Sequence, residues 1–343
     1  MRKSGIKTIV PFALAGGALF AASRIKRAAR RMDFHGASAV ITGGSRGLGL
    51  ELARALAREG ARLSLLSRNA GKLETARQEL AGMGADVLVY SCDIKDPENV
   101  AGAVDFVMGA RGGIDVLINN AGVISVGAFE NTDLKDFQDS LAIHALGPVN
   151  MIKAVLPHMK KQGAGRIANI SSIGGLVGVP HMSSYSAGKF ALAGLSDAIR
   201  AELAQYGIRV TTVCPGLIRT GAHVNAYFKG DHKKEYAWFS ALEGFPILSI
   251  SSRRAAQRII KACRYGQARL ILTPSARFLN MMDALTPELS ADFFDLFAKL
   301  LPAAGGPSGN EALIGWESRQ NGGLSRFAAI ADNQIERNNE SRF

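Results

Sequence analysis

The segment Thr42-Gly43-Gly44-Ser45-Arg46-Gly47-Leu48-Gly49 constrains this chain more than any other. It follows the apolar, β-rich run ASAVIT. It precedes LELARALAREG, which has helical apolar spacing and a stopping glycine. Gly43 lets the chain turn tightly, Gly47 removes a side chain where a ligand must approach the backbone, and Gly49 lets helix pack closely on sheet. The helix N-terminus then faces a pyrophosphate. A glycine triplet alone is weak and a mere turn is the bland alternative. The strand–loop–helix context specifies dinucleotide binding, with Ser45, Arg46 and Leu48 in the same loop.

The alternation continues along the chain. ARLSLLSR, DVLVYSCD, DVLINNAG, GRIANISS and IRVTTVCPG read as strands, and LILTP (Leu270 to Pro274) as a seventh. LETARQELAGMG and FALAGLSDAIRAELAQYG read as helices. Strands that are apolar throughout and separated by helices imply a parallel sheet covered on both faces. The predicted fold is α/β, a Rossmann-type doubly wound parallel sheet, as one domain over residues 36–275. No internal repeat is visible.

The end of the second strand selects the cofactor. An acid there would bond the adenosine ribose and repel a 2′-phosphate. This chain has Ser67 and Arg68 instead, with Arg46 in the glycine loop. Two guanidinium groups suit a phosphate, which they grip bidentately, so NADP(H) is the expected cofactor. Arg68 as an ordinary solvated charge is the alternative. Asp93, after the third strand, either accepts from the adenine amine or caps the next turn.

Tyr185 and Lys189 stand four apart in YSAGK and share one face if helical. A free tyrosine titrates near roughly 10. A lysine ammonium and a positive nicotinamide ring would lower that value, so the phenol can give a proton to a carbonyl oxygen or take one from an alcohol. Lys189 can also hold the nicotinamide ribose. Ser172 ends the fifth strand, 13 residues before Tyr185, and its hydroxyl can hold the substrate oxygen.

With TGGSRGLG (42–49), NNAG (119–122), Ser172, YSAGK (185–189) and PGLIRT (215–220), the chain resembles the short-chain dehydrogenase/reductase (SDR) family. The resemblance implies that Asn119 to Gly122 stabilise the central sheet, with Asn120, Ala121 and Gly122 at the cofactor. It implies that Pro215 and Gly216 begin the segment covering the nicotinamide, and that Thr220 binds its amide or the phosphates. Hydride would pass between the nicotinamide and a carbonyl or carbinol carbon. One departure stands out. The family usually has an asparagine where this chain has His144, in His144-Ala145-Leu146-Gly147. His144 can relay protons through its ring nitrogens or sit as a neutral core histidine, and the sequence leaves both open.

The 343 residues are 47% hydrophobic and 20% charged, which excludes a generally disordered chain. Cys92, Cys214 and Cys263 cannot form a disulfide framework and suit a reducing compartment, and no metal site is expected. The formal charge of +12 invites a nucleic-acid reading, but residues 1–31 hold eight Lys or Arg and no acid, leaving about +4 for the rest. No nucleic-acid partner is expected. The 15 uncharged residues Thr8 to Ala22 lie between basic flanks. They read as a membrane anchor, with contact over residues 6–31, against a cleaved signal or a surface helix. The C-terminal basic flank favours a cytoplasmic catalytic domain.

The chain is thus divided into a leader (1–35), the catalytic domain (36–275) and an extension and tail (276–343). Residues 221–250 read as a substrate lid carrying Tyr227, Phe228, Tyr236, Trp238, Phe239 and Phe245. They either line a pocket for a lipid-, steroid- or retinoid-like ligand or pack the lid on the core. His181 faces the pocket or the solvent. Leu289, Phe293, Leu296, Phe297, Leu300 and Leu301 form an apolar stripe, with Phe294 beside it. Residues 303–343 read as a loosely folded polar tail without activity. The expected function is an NADP(H)-dependent oxidoreductase acting on a small-molecule carbonyl or alcohol, as a homo-oligomer. A non-catalytic NADP(H)-binding scaffold is the alternative.

Overall fold

The apolar runs become one sheet: β1 (Ser38–Thr42), β2 (Arg62–Ser67), β3 (Val87–Ser91), β4 (Val116–Asn119), β5 (Gly165–Ile170), β6 (Ile208–Cys214) and β7 (Arg269–Ile271). The structure is a computed structural model that describes residues 28–319 and 326–342. The strands lie in the order β7-β6-β5-β4-β1-β2-β3, and every neighbouring pair is parallel. The order reverses between β1 and β4, which opens a crevice at the strands' carboxyl ends.

The helices are α1 (Gly47–Ala57), α2 (Ala70–Gly82), α3 (Pro97–Arg111), α4 (Leu134–Leu141), α5 (Gly147–Gln162), α6 (Ser183–Leu203), α7 (His232–Gly244), α8 (Ser252–Arg264), α9 (Pro274–Leu285), α10 (Pro287–Ala298) and α11 (Arg326–Asp332). On one face, Ala39, Ile41, Leu63 and Leu65 pack with Leu50 and Leu56 of α1, Leu73 and Leu80 of α2, and Ile259 of α8. On the other, Val40, Leu117 and Ile167 pack with Val104 of α3 and Met151 and Val155 of α5. Both faces are covered, so the strands are apolar runs rather than alternations.

The sequence reading omits α3, α4, α5, α8, α9 and α11. The start of α3 is nonetheless written locally: Asp96 accepts from the Glu98 and Asn99 N–H groups, and Pro97 follows as the first helical residue. A π-helical turn, Ala142–Leu146, joins α4 to α5.

The tail differs most from expectation. Residues expected to be loose are packed onto the domain. Leu313–Ile314 pairs antiparallel with Tyr227–Phe228, which pairs in turn with Ser125–Val126. α11 packs on α7, with the Phe327 and Phe245 rings 4.8 Å apart. Asn338 is fully buried. The tail is polar because its partners are polar: Arg54 donates to the Asn338 side chain at 3.2 Å and to the Arg337 carbonyl at 2.6 Å. At the other end Phe34 is fully buried, so packing begins before residue 36. The anchor and signal readings fall on residues outside those described, apart from 28–31. Among the described residues no helix is long and apolar enough to cross a membrane.

Candidate active site

The glycine loop is held by side chains on both sides. The Asn120 and Ala121 N–H groups donate to Thr42 Oγ1 at 3.0 and 3.1 Å, and the Asn120 amide donates to the Thr42 and Gly43 carbonyls at 3.2 Å. Ser45 Oγ donates to Ser67 Oγ at 3.0 Å, joining the loop to the end of β2. A β-carbon on Gly49 would lie 2.0 Å from the Gly43 carbonyl oxygen, so only glycine lets α1 start there. Gly49 thus supports the loop from below.

Gly43, Ser45, Arg46, Gly47, Leu48, Arg68, Asp93, Asn120, Ala121, Gly122, Ser172, Tyr185, Lys189, Pro215, Gly216 and Thr220 all line one cleft, and His144 lines it too. Its phosphate end combines a helix N-terminus, hydroxyls and two arginines, a donor set that fits a dinucleotide phosphate. Asp93 Oδ1 accepts the Lys95 N–H at 3.0 Å, so it caps its turn as well as facing the cleft. Thr220 is already engaged, because its N–H and hydroxyl both reach Glu243 Oε1, at 3.0 and 3.3 Å.

At the other end lies the chemistry-bearing group. Tyr185 sits in the first turn of α6 and Lys189 one turn later, while Ser172 follows β5. Ser172 and Tyr185 both line the cleft, and the Ser172 hydroxyl is near enough to lower the phenol's pKa. Ser172 also accepts the Gly174 N–H at 3.1 Å, which fixes its side chain. Burial raises the Tyr185 pKa and the Ser172 hydroxyl opposes it. The expected lowering by lysine is not the governing influence here. Lys189 Nζ donates to the Ile170 carbonyl at 2.9 Å, and burial draws its pKa down to about 7.

His144 is buried in the π-helical turn, with its ring centroid 5.3 Å from that of Tyr185. Its Nε2 accepts the Val123 N–H at 3.2 Å, so its Nδ1 carries the proton and donates to Ser140 Oγ at 3.2 Å. Burial first, and the Lys189 charge second, hold its pKa well below the usual histidine value. The ring is neutral and ties the NNAG loop to the α4–α5 junction.

Asn119, which the resemblance places in the central sheet, is joined in this frame by Asn169, Ser171, Ser196, Asn225 and Glu340, which escaped the sequence reading. Asn119 donates to Asn169 at 2.8 Å, and Asn169 donates to Ser196 Oγ at 2.8 Å, clamping β4, β5 and α6. Ser171 Oγ donates to the Lys189 carbonyl at 2.8 Å. Asn225 and Glu340 also line the cleft. Asn119, Asn169 and Ser171 stand at strand ends, which is their one local signal, and Ser196, Asn225 and Glu340 give none.

Beyond Tyr185 the cleft becomes apolar. Val177, Met182, Leu217, Trp238, Phe239, Leu242, Phe278, Met282, Phe293, Phe294 and Phe297 line it, and the whole cleft measures about 820 Å³. The lid aromatics divide: Tyr227, Trp238 and Phe239 line the cleft, while Phe228 and Tyr236 are buried in the lid core. His181 does neither of the things expected of it, since its Nδ1 pairs with buried Glu235 at 2.7 Å. Trp238 donates to the same carboxylate at 2.6 Å, which anchors α7.

A family model described as short chain dehydrogenase matches residues 37–228. The mouse protein named dehydrogenase/reductase SDR family member 7B is 36% identical over 271 residues, covering 78% of this chain and 82% of that protein. The crystal structure of an actinorhodin polyketide ketoreductase variant with NADPH is similar at 28% identity and a TM-score of 0.62, covering 70% of this chain and 97% of that one. L-sorbose reductase from Gluconobacter frateurii, complexed with NADPH and L-sorbose, is similar at 28% identity and a TM-score of 0.63, covering 71% and 97%.

Proposed function

The chain belongs to the short-chain dehydrogenase family, and on that premise we propose that it is an NADP(H)-dependent oxidoreductase acting on the carbonyl or secondary alcohol of an apolar small molecule. The observation that carries this reading is the meeting of Tyr185, Ser172 and Lys189 where a cleft lined by the glycine loop, Arg46 and Arg68 opens into an apolar pocket.

Each side chain then has a task. Tyr185 gives its proton to the carbonyl oxygen, or takes one from the alcohol. Ser172 donates a hydrogen bond to the same oxygen and keeps Tyr185 aligned. Lys189 holds the nicotinamide ribose, and its Nζ lies 5.6 Å from the centroid of the phenol ring. The chemistry of the bound cofactor is hydride transfer at the carbonyl or carbinol carbon. Trp238, Phe239, Phe293 and Phe297 exclude water from the reacting carbon, which favours a lipid-, steroid- or retinoid-like substrate. A panel of such ketones and aldehydes, assayed with NADPH, tests the reading. Tight NADPH binding without turnover of any would favour the scaffold alternative.

The choice of NADP(H) rests on Arg46 and Arg68. Replacing both by alanine is expected to weaken NADPH about 10²–10⁴-fold and NADH little, because each charged hydrogen-bond donor contributes about 1.5–3 kcal/mol. Equal losses for the two cofactors in fluorescence titrations would refute the assignment. His144 is a positioning residue in this reading. His144→Ala is expected to lower kcat about tenfold, with an unchanged pH profile and recovery in His144→Asn, since both side chains can accept the Val123 N–H. A lost limb in the His144→Ala profile would make it a proton carrier instead. Leu134, Leu141 and Leu146 are exposed near the α4–α5 junction, which supports a homo-oligomer, and light scattering reads that mass directly.

A further inference from the structure

The chain's last described residues return to its first loop. The Asn338 carbonyl accepts the Gly47 N–H at 2.8 Å, and its amide donates to the Thr220 carbonyl at 3.0 Å. Asn339 donates to the Ser45 carbonyl at 2.9 Å. Glu340, 3% exposed, accepts from Asn225 through Oε2 at 2.6 Å, and the same oxygen lies 3.4 Å from Arg46. A β-carbon on Gly47 would lie 2.5 Å from Glu340 Oε1. The space that glycine leaves open above its backbone is therefore filled by a carboxylate. Ser45, Arg46, Gly47, Thr220 and Asn225 all line the cleft, and so does Glu340 itself.

We propose that residues 336–342 form a strap over the phosphate end of the cleft, in which the Glu340 carboxylate is an affinity-determining group that competes with the cofactor's phosphates for Arg46 and the face of Gly47. The inference rests on the dinucleotide reading above. A bidentate grip on a phosphate would draw on the same Arg46 guanidinium that now faces Glu340. A carboxylate and a phosphate sharing this buried corner repel with little screening. Burial already raises the Glu340 pKa, and Arg46 is the leading influence that opposes it. When Arg46 turns to a phosphate, Glu340 loses that partner and the strap lifts. Lys72 donates to the Ser341 carbonyl at 2.9 Å and to Asn339 at 3.3 Å, so a second cation is drawn into the contact.

The test uses the full chain and NADPH. In fluorescence titrations, Glu340→Gln keeps the shape of the strap and removes its charge, and it is expected to lower the NADPH dissociation constant about tenfold. In hydrogen exchange on the unaltered protein, the amides of residues 336–342 are expected to lose protection at saturating NADPH. An unchanged or weaker affinity in Glu340→Gln overturns the proposal, as does retained or increased protection of the strap with NADPH bound. Failure of both proteins to bind NADPH would overturn the dinucleotide reading beneath it. The exchange measurement decides the question even if the variant does not fold.

Discussion

Tyr185→Phe is expected to lose about 10³-fold in carbonyl turnover while still binding NADPH, the loss typical of removing a positioned acid or base. The size follows from what surrounds the phenol. Lys189 Nζ is committed to the Ile170 carbonyl, and both ring nitrogens of His144 are committed, to Val123 and Ser140. The neutral His144 has no free proton to give, and Lys189 is directed at the Ile170 carbonyl and the ribose rather than at the reacting oxygen. Ser172 can polarise the substrate oxygen, but an alcohol is too weak an acid to replace a phenol. Ser172→Ala should therefore lose less, about 10²-fold, by removing one hydrogen bond that strengthens in the transition state. Steady-state assays with a reduced ketone panel, beside a fluorescence titration of NADPH, measure both. A Tyr185→Phe protein that retains a tenth of the activity would end the assignment.

The frame of this site was readable because its cause is local. A strand buried on both faces must be an apolar run, so the strands of the sheet stood out from their composition. The glycine loop was readable because Gly49 can carry no β-carbon against the Gly43 carbonyl, a clash between near neighbours in sequence. YSAGK puts Tyr185 and Lys189 on one helical face by spacing alone.

What escaped depends on partners far along the chain. Asn169 meets Asn119 from fifty positions away, and Asn339 meets Ser45 across 294. No window of sequence contains both. The tail was misread for the same reason: Asn338 and Glu340 look like solvated residues until Arg54, Thr220 and Asn225 are brought beside them. The space at Gly47 was ascribed to a ligand, and the structure puts the chain's own carboxylate against it. The lid aromatics were undecidable because pocket lining and lid packing both call for large rings, and Phe239 does both.

The tail's attachment itself carries the second large effect. Glu243 is buried in α7 and accepts the Thr220 and Gly221 N–H groups at 3.0 and 3.2 Å, while its Oε2 pairs with His223 Nδ1 at 3.0 Å. His223 Nε2 reaches Asp332 of α11 at 2.9 Å. Burial alone would lower the His223 pKa, but Glu243 and Asp332 outweigh it and hold it at about 9. Glu243→Gln leaves that imidazolium buried beside a neutral amide, and the expected loss is about 3 kcal/mol, as for other broken buried pairs. The pH dependence has a definite sign. The imidazole binds its proton to about 9 in the fold and to roughly 6.5 in the unfolded chain. Its contribution is therefore full below about 6.5 and is lost as pH rises through about 9, amounting to about 3 kcal/mol. Lys189 works in the opposite direction: its folded pKa of about 7 lies below the free value, so its burial penalises the fold least at high pH. The informative quantity is consequently the stability of the unaltered protein minus that of His223→Gln, from urea unfolding at pH 6 and pH 10. That difference is expected to shrink by about 3 kcal/mol between the two. A constant difference would mean that His223 is neutral in the fold, and that hydrogen bonds without a charge hold α11 to the lid.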